Sequence, residues 1–182
     1  NYALPANFAH ESDEDFLAEV ERLKGHVDLL AAMGIRSMRH DVVAFTIPQE
    51  EADIAHFEKN LPRIAEGSRL IADYAAERGI ATNIENHGWG VQHSDRVQRV
   101  IAEVNRPNFR TVLDIGNFLC VDEPPLIGVA KNLPLASIVH LKDFYYRGAD
   151  QNPGDVKWFS TANGKFLRGS IFGQGDLPVR SL

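Results

Sequence analysis

The sequence has a single cysteine, no long apolar run and no excess of positive charge. Cys120, alone among 182 residues, excludes a disulfide framework and a thiolate zinc cluster, and a reducing, cytoplasmic location is the expectation. No apolar run approaches the roughly 20 residues of a membrane span, so no membrane association is expected. With 19 basic against 25 acidic residues the net charge is −6. This disfavours nucleic acid as a partner, because proteins that grip phosphate backbones carry a basic face.

The remaining composition is that of a folded globular protein. Hydrophobic residues make up 44% and charged residues 24% of the sequence, which excludes collagen-like, disordered and coiled-coil chains. A chain of this length can bury a sizeable core, and we expect residues 1–182 to form a single domain. The sequence opens at Asn1 rather than at a methionine, and it stops in residues 175–182, where a helix is expected to start. We therefore expect it to be a piece of a longer protein.

The spacing of apolar residues predicts alternating helices and strands. Apolar residues three and four apart predict a helix over residues 12–33, which Gly34 ends. Further helices are predicted over residues 48–78, where Pro62 splits or kinks the helix, and over residues 94–104 and 126–132. The predicted strands are residues 35–40, 80–85, 111–114 and 137–142.

This alternation predicts a parallel sheet and an α/β fold. Glu85, Asp114 and His140 end three of the strands, and their separations of 29 and 26 positions match βα units of about 30 residues. Eight such units need roughly 250 residues. The sequence therefore predicts a (β/α)8 TIM barrel, present as an incomplete fragment that lacks the first and last strands. Residues 145–175, rich in glycine, asparagine and aromatics, are predicted to form a long loop over the strand ends, with a hairpin at residues 166–172.

The ionisable strand ends are candidate metal ligands. In a parallel barrel the carboxyl ends of the strands meet at one mouth, where different strands contribute catalytic groups. Two carboxylates and an imidazole, from Glu85, Asp114 and His140, suit Mn²⁺, Mg²⁺, Zn²⁺ or Co²⁺. Each residue taken singly is more often a solvated loop residue or a hydrogen-bonded histidine. Their common position and spacing favour a divalent metal site.

The residues around these positions form motifs. Ile-Glu-Asn-His-Gly stands at 84–88, Leu-Asp-Ile-Gly-Asn at 113–117 and Val-His-Leu-Lys-Asp at 139–143, followed by Gly-Gln-Gly-Asp at 173–176. In this order and spacing they resemble the sugar phosphate isomerase/epimerase family of xylose isomerase-like TIM barrels. The resemblance covers the chain from about Glu11 to its end.

The resemblance implies a divalent metal held by Glu, Asp, His and a second Glu. The first three fall on Glu85, Asp114 and His140, and the fourth belongs to the last strand, which this sequence does not contain. In the family's sugar epimerases the two metal-binding glutamates also move the substrate proton. Glu85 is the one of that pair present here, so we expect it to be both a ligand and a catalytic residue.

Two further residues of these motifs are candidates for substrate binding. His87 either contacts the substrate or donates a hydrogen bond to the side chain of a metal ligand without contacting the substrate. Lys142 either faces a substrate oxygen or carboxylate, or forms an ion pair with Asp143 or Glu85.

Three other residues are substrate-binding candidates with structural alternatives. Asn117 is either a hydrogen-bonding residue of the site or a loop residue. Arg39, at the end of the first predicted strand, either meets an anionic substrate group or forms a strand-end salt bridge. Trp89 either walls an apolar side of the pocket or packs against the next helix.

The expected function is that of a metal-dependent isomerase or epimerase of a sugar or sugar-derived keto compound. Such an enzyme would act by proton transfer through a metal-stabilised enediolate, on a small-molecule sugar or keto-polyol, with a homo-oligomer possible. A dehydratase acting on a cyclic keto-polyol is the alternative, because both reactions begin by removing a proton beside a carbonyl. A nuclease with three zinc ions is disfavoured, since Asn117 stands where such a site needs histidine. A non-catalytic sugar-binding relative remains the further alternative.

Overall fold

The computed structural model describes residues 1–43, 45–154 and 156–182. Five parallel strands form one sheet in the order β1-β2-β3-β4-β5, so each strand neighbours the next one in the chain. Consecutive parallel neighbours joined by helices are the wall of a barrel, here about five strands wide. The sequence had indicated four of these strands and not β1. The strands are β1 (Tyr2–Leu4), β2 (Ser37–His40), β3 (Ala81–Glu85), β4 (Phe109–Asp114) and β5 (Ala136–His140).

Four helices connect the strands and bury their apolar faces against the sheet. In α1, Ser12 caps the first turn by accepting a hydrogen bond from the backbone N–H of Asp15 at 3.0 Å. The predicted apolar stripe of α1 is fully buried. The helices are α1 (Asp13–Ala32), α2 (Ile54–Ala76), α3 (Ser94–Val104) and α4 (Pro125–Asn132), with 3-10 turns at Gln49–Glu51, Asn117–Val121 and Leu133–Leu135.

The second helix differs from its prediction at Pro62. The helix runs through Pro62 without a break, and it starts at Ile54 rather than at Pro48 because Asp53 caps it there. Proline inside a helix costs one backbone hydrogen bond, about 3 kcal/mol. Pro62 is exposed, so the freed carbonyl group of Glu58 can be solvated. Buried residues on both sides of the proline hold the helix against the sheet, and tertiary packing overrides the local break.

Residues 145–175 are not the predicted loop. The strands β6 (Asp143–Arg147), β7 (Phe159–Ser160) and β8 (Phe166–Ser170) form an antiparallel sheet in the order β6-β8-β7. The hairpin predicted within residues 166–172 is wrong, because these residues contain a single strand that pairs with β6 from Asp143↔Ser170 to Arg147↔Phe166. Long-range pairing of this kind leaves no local turn signal in the sequence.

No helix in the described part of the chain is both long and apolar enough to cross a membrane.

Candidate active site

The three predicted ligand residues lie at the carboxyl ends of neighbouring strands. Glu85 ends β3, Asp114 ends β4 and His140 ends β5, and Asp114 pairs in register with His140. One ligand atom from each residue lies within 4.8 Å of the other two. Parallel strands bring together residues 55 positions apart because their carboxyl ends share one edge of the sheet.

Glu85 is held only by side chains in the described part of the structure. Its carboxylate oxygen Oε1 lies 3.1 Å from the Nδ1 atom of His140, and Oε2 lies 2.9 Å from Nε of Arg39. The residue is 8% exposed, whereas the His140 side chain is 43% exposed. The carboxylate therefore stands at the inner end of the site, with the imidazole nearer to solvent.

Asp114 is held by the backbone. Its Oδ1 accepts hydrogen bonds from the N–H groups of Gly116 and Asn117, at 2.9 and 3.0 Å. The Asn86 side chain brackets the Asp114 backbone, because it donates to the carbonyl oxygen at 2.8 Å and accepts from the N–H at 2.9 Å. Oδ2 is left to face Lys142, whose Nζ lies 3.1 Å away. Asn86 was missed at the sequence level, since an asparagine next to a strand end carries no distinctive pattern.

These residues fit a divalent cation. Two carboxylates and an imidazole form a mixed oxygen and nitrogen donor set that suits Mg²⁺, Mn²⁺, Zn²⁺ or Co²⁺. Three such groups would leave coordination positions of the cation open to a substrate. Asp114 is oriented by its own hydrogen bonds, which is the arrangement that positions a ligand in metal sites.

Among the described residues, Lys142 forms a salt bridge with Asp114, and Arg39 forms one with Glu85. Lys142 pairs with Asp114, not with the expected Asp143 or Glu85, and its Nζ also donates to Oδ1 of Asn117 at 2.7 Å. Asp143 is unavailable to Lys142 because its carboxylate accepts four backbone N–H groups of its own.

Arg39 and His87 belong to one network beside Glu85. Besides Glu85, the guanidinium of Arg39 contacts Oδ1 of Asp41 at 2.5 Å and Nδ1 of His87 at 2.9 Å. The strand-end salt bridge considered for Arg39 is therefore present. Asp41, which is 6% exposed, was missed because it follows the strand in a segment that shows no motif. The neighbouring His40 is fully buried, and its Nδ1 contacts the backbone carbonyl oxygen of Asp41 rather than a carboxylate of this network.

Two adjoining cavities surround the cluster. A cavity of about 510 Å³ is lined by Arg39, Glu85, Asp114, His140 and Lys142, among others. A second cavity of about 740 Å³, here called the aromatic cavity, is lined by Phe45, Trp89, Cys120, Phe144 and Phe159, with Gln92 and Asn117. His87, Lys142 and Ser170 line both.

The antiparallel sheet forms part of the wall of these cavities. Phe159 and Gly169 line the aromatic cavity and Ser170 lines both cavities, so residues 145–175 lie at the mouth as predicted. Of the aromatic residues between positions 145 and 160, Phe159 lines the aromatic cavity. Tyr145 and Trp158 instead pack against the guanidinium of Arg168, with ring centroids 4.9 and 5.1 Å away. Tyr145 follows Phe144 in β6, so its side chain points to the other face of the antiparallel sheet.

A family model described as xylose isomerase-like TIM barrel matches residues 2–182. The chain belongs to the xylose isomerase-like TIM barrel family. This confirms the resemblance drawn from the three strand-end motifs, and the fold is that of an incomplete α/β barrel. No curated protein matches the sequence.

Solved structures share this fold. A xylose isomerase-like TIM barrel protein from Mycobacterium smegmatis, in complex with magnesium, has a TM-score of 0.70 at 18% identity over 98% of this chain and 60% of that one. The probable 3-DHS dehydratase AsbF of Bacillus anthracis has a TM-score of 0.69 at 13% identity over 98% of this chain and 63% of that one. D-allulose 3-epimerase from Methylomonas sp., in complex with D-allulose, has a TM-score of 0.68 at 19% identity over 100% of this chain and 57% of that one. This chain thus spans only 57% to 63% of the length of these structures.

Proposed function

We propose that this chain carries the metal site of a divalent-metal-dependent isomerase or epimerase acting on a sugar or sugar-derived keto compound. The observation that carries the proposal is the approach of one ligand atom each from Glu85, Asp114 and His140 to within 4.8 Å. The fold shared with D-allulose 3-epimerase supports a sugar-like substrate. Glu85, Asp114 and His140 are the proposed metal ligands.

The proposed roles of the two carboxylates follow from the groups that hold each of them in place. A divalent cation bound here would polarise a substrate carbonyl and stabilise negative charge on its oxygens. Asp114 is fixed by backbone N–H groups and acts only as a ligand. Glu85, contacted by side chains alone in the described residues, is free to adjust and carries the substrate proton on one face.

Cationic and polar groups around the cluster bind the substrate. The Nζ atom of Lys142, whose side chain is 39% exposed, can turn from Asn117 toward a substrate oxygen. His87 and Arg39, tied to each other, present a donor surface beside Glu85. Trp89 walls the apolar side.

A dehydratase acting on a cyclic keto-polyol is the second candidate. The TM-score of 0.69 with a probable 3-DHS dehydratase favours it as much as the epimerase likeness favours the first. Both reactions start with proton removal beside a carbonyl, so both use the same ligands and the same base. A sugar-binding relative without catalysis is the third candidate, and turnover separates it from the enzymes.

Substitution of Asp114 tests the proposal. Asp114→Asn keeps Oδ1 for the two backbone hydrogen bonds and removes the charge at Oδ2, so we expect Mn²⁺ affinity to fall at least tenfold and proton exchange on a keto-sugar to be lost. Mn²⁺ binding is measured by electron paramagnetic resonance. Exchange is measured as deuterium uptake from solvent into D-allulose and D-fructose, and loss of water from a cyclic keto-polyol distinguishes the dehydratase.

Asp122→Asn is the matched control. The Asp122 side chain is 5% exposed and lies 3.3 Å from a lysine, Lys165, but it is outside the cluster. The control should lose some thermal stability and keep its metal. If the Asp114→Asn protein keeps full Mn²⁺ affinity, Asp114 is not a ligand of the metal. A large fall in melting temperature without loss of metal would show that Asp114 serves as a buried salt bridge only.

A further inference from the structure

The aromatic cavity is larger than the cavity around the metal ligands, and a different kind of surface lines it. Phe45 packs edge-on against Trp89 with ring centroids 5.5 Å apart, and Phe144 packs edge-on against Phe159 at 5.8 Å. Phe45 is 54% exposed and Phe159 is 41% exposed. Two pairs of aromatic rings from distant parts of the chain thus present apolar surface to one cavity, and part of that surface is open to solvent.

The thiol of Cys120 adds to this apolar lining. The residue is 6% exposed, and burial raises the pKa of its thiol to about 11, so the side chain is neutral. A neutral buried thiol behaves as a small apolar group. The reactive chemistry of cysteine is therefore not what this cavity offers.

Two buried amides in the same cavity have unused hydrogen-bonding atoms. Asn117 is 2% exposed and Gln92 is 3% exposed. Within the described residues, Nδ2 of Asn117 and Oε1 of Gln92 have no hydrogen-bond partner. Buried polar atoms normally have one, because leaving them unpaired costs about 1–3 kcal/mol each.

In each amide, the hydrogen bond made by the other polar atom fixes the orientation of the side chain. Oδ1 of Asn117 accepts from Nζ of Lys142, so its Nδ2 is the free donor. Nε2 of Gln92 donates to the backbone carbonyl of Asn117 at 2.9 Å, so its Oε1 is the free acceptor. Gln92 and Asn117 both line the aromatic cavity, and its wall therefore contains one unpaired N–H donor and one unpaired carbonyl acceptor.

The aromatic cavity is continuous with the cavity of the metal ligands. His87, Lys142 and Ser170 line both, so one molecule can extend from the carboxylates into the space between the aromatic rings. The cavity around the ligands is charged and suits a keto-polyol. The aromatic cavity suits a planar ring with hydroxyl or carbonyl oxygens, since flat rings pack against aromatic edges and faces and the oxygens would satisfy the free amide atoms.

We propose that the substrate of this site is a keto-sugar that carries an aryl substituent with oxygen functions, and that the aromatic cavity binds this substituent. The inference rests on the proposed function and narrows its substrate from free keto-sugars to keto-sugars that carry an aryl group. Phe144, Phe159, Gln92 and Asn117 select the substituent, while Glu85, Asp114 and His140 hold the reacting end.

Two glycosides that lack the ketone and differ in their substituent test the aromatic cavity by binding alone. In protein with and without Mn²⁺, 4-hydroxyphenyl β-D-glucopyranoside should bind at least tenfold more tightly than methyl β-D-glucopyranoside, by isothermal titration calorimetry. Trp89 is one of two tryptophans, so in a Trp158→Phe background its fluorescence reports on the cavity, and only the aryl glycoside should change it.

Gly169→Leu should abolish this preference. Gly169 pairs with Phe144 in the antiparallel sheet and therefore points to the same face. Nothing lies within 4 Å of a Cβ atom added there, so a leucine enters the cavity without a backbone clash. Arg168→Leu, on the opposite face of the same strand, is the matched control and should keep the preference. Phe159→Ala, at an exposed rim position, is a second variant that should weaken only aryl binding.

The results separate this inference from the proposed function. Equal affinity for both glycosides in a protein that binds Mn²⁺ through Asp114 would overturn the aryl substituent and leave the metal site in place. An aryl preference lost in Gly169→Leu and kept in Arg168→Leu supports it. An aryl preference in protein that binds no Mn²⁺ supports the ring site and overturns the proposed metal function.

Discussion

At the scale of residues, the two carboxylates of the site are held in different ways. Asp114 accepts two backbone hydrogen bonds and is 1% exposed, so its position follows from the turn after β4. Glu85 contacts only the side chains of Arg39 and His140 among the described residues. A carboxylate that must transfer a proton needs room to move, whereas one that only holds a cation does not. The packing thus supports separate roles for two chemically similar groups.

His40 illustrates a titratable residue placed in the core. Its ring lies between Phe8 and Phe109, and Nδ1 donates to the carbonyl oxygen of Asp41 at 2.9 Å. Nε2 is buried without a hydrogen-bond partner in the described part of the chain, so the imidazole is neutral. Burial lowers the pKa of His40 from its ordinary value of 6.5.

This burial makes stability depend on pH. Below about pH 6.5 the unfolded chain takes up a proton at His40 and the folded protein does not, until the pH reaches the lowered pKa of the folded state. The free energy of unfolding should therefore fall with decreasing pH in this window, by up to about 1.4 kcal/mol per pH unit. His40→Phe should show a shallower fall in urea denaturation between pH 8 and pH 5. Parallel curves for the two proteins would contradict the assignment.

At the scale of elements, one buried carboxylate ties the start of β6 to the segment that follows β8. Asp143, which is 1% exposed, accepts at Oδ1 from the N–H groups of Phe144 and Leu177, and at Oδ2 from those of Gly173 and Gly175. A Cβ atom on Gly175 would come too close to the Asp143 carboxylate, which explains a glycine there. The Gly-Gln-Gly-Asp motif is thus the turn that wraps around Asp143.

Replacing this carboxylate should loosen the antiparallel sheet. Asp143→Asn turns one hydrogen-bond acceptor into an amide that faces N–H donors, and we expect about 3 kcal/mol of lost stability from two charge-assisted bonds. Urea denaturation measures the free energy of unfolding, and hydrogen exchange should show the loss first in β6 and β8. Asp150→Asn, an exposed change in the same segment, should stay within about 0.5 kcal/mol of the parent. Equal stability of both variants would contradict this role.

At the scale of the whole molecule, the parallel sheet is open at β5. This strand pairs with β4, and the described residues supply no strand on its other side. Val139 is 42% exposed and Leu141 is 63% exposed along this edge, and Ile171 and Phe172 add apolar surface near the antiparallel sheet. In a complete barrel, the next parallel strand pairs with this edge and the elements that follow cover its apolar side chains.

Local sequence was sufficient for the helices and for the strand ends of the site. Periodic apolar residues, a serine cap and βα spacing are short-range signals, and they located α1 together with Glu85, Asp114 and His140. They did not locate β1, which is three residues long, or the pairing of β6 with β8, which joins residues up to 27 positions apart. They also misplaced the start of α2, which Asp53 caps. They predicted a split or kink at Pro62, where packing on both sides of the proline keeps the helix continuous.

The sequence by itself determined the α/β class and the three strand-end groups, because these follow from periodicity and spacing along one chain. Its strand-end motifs carried the resemblance to the family. Only the tertiary structure decided which partners those groups have. It paired Lys142 with Asp114 and tied Arg39 to Glu85, Asp41 and His87. It also placed two pairs of aromatic rings around one cavity beside the ligands. Such contacts join residues far apart in the chain, and their distances depend on how strands and sheets pack, which no local pattern encodes.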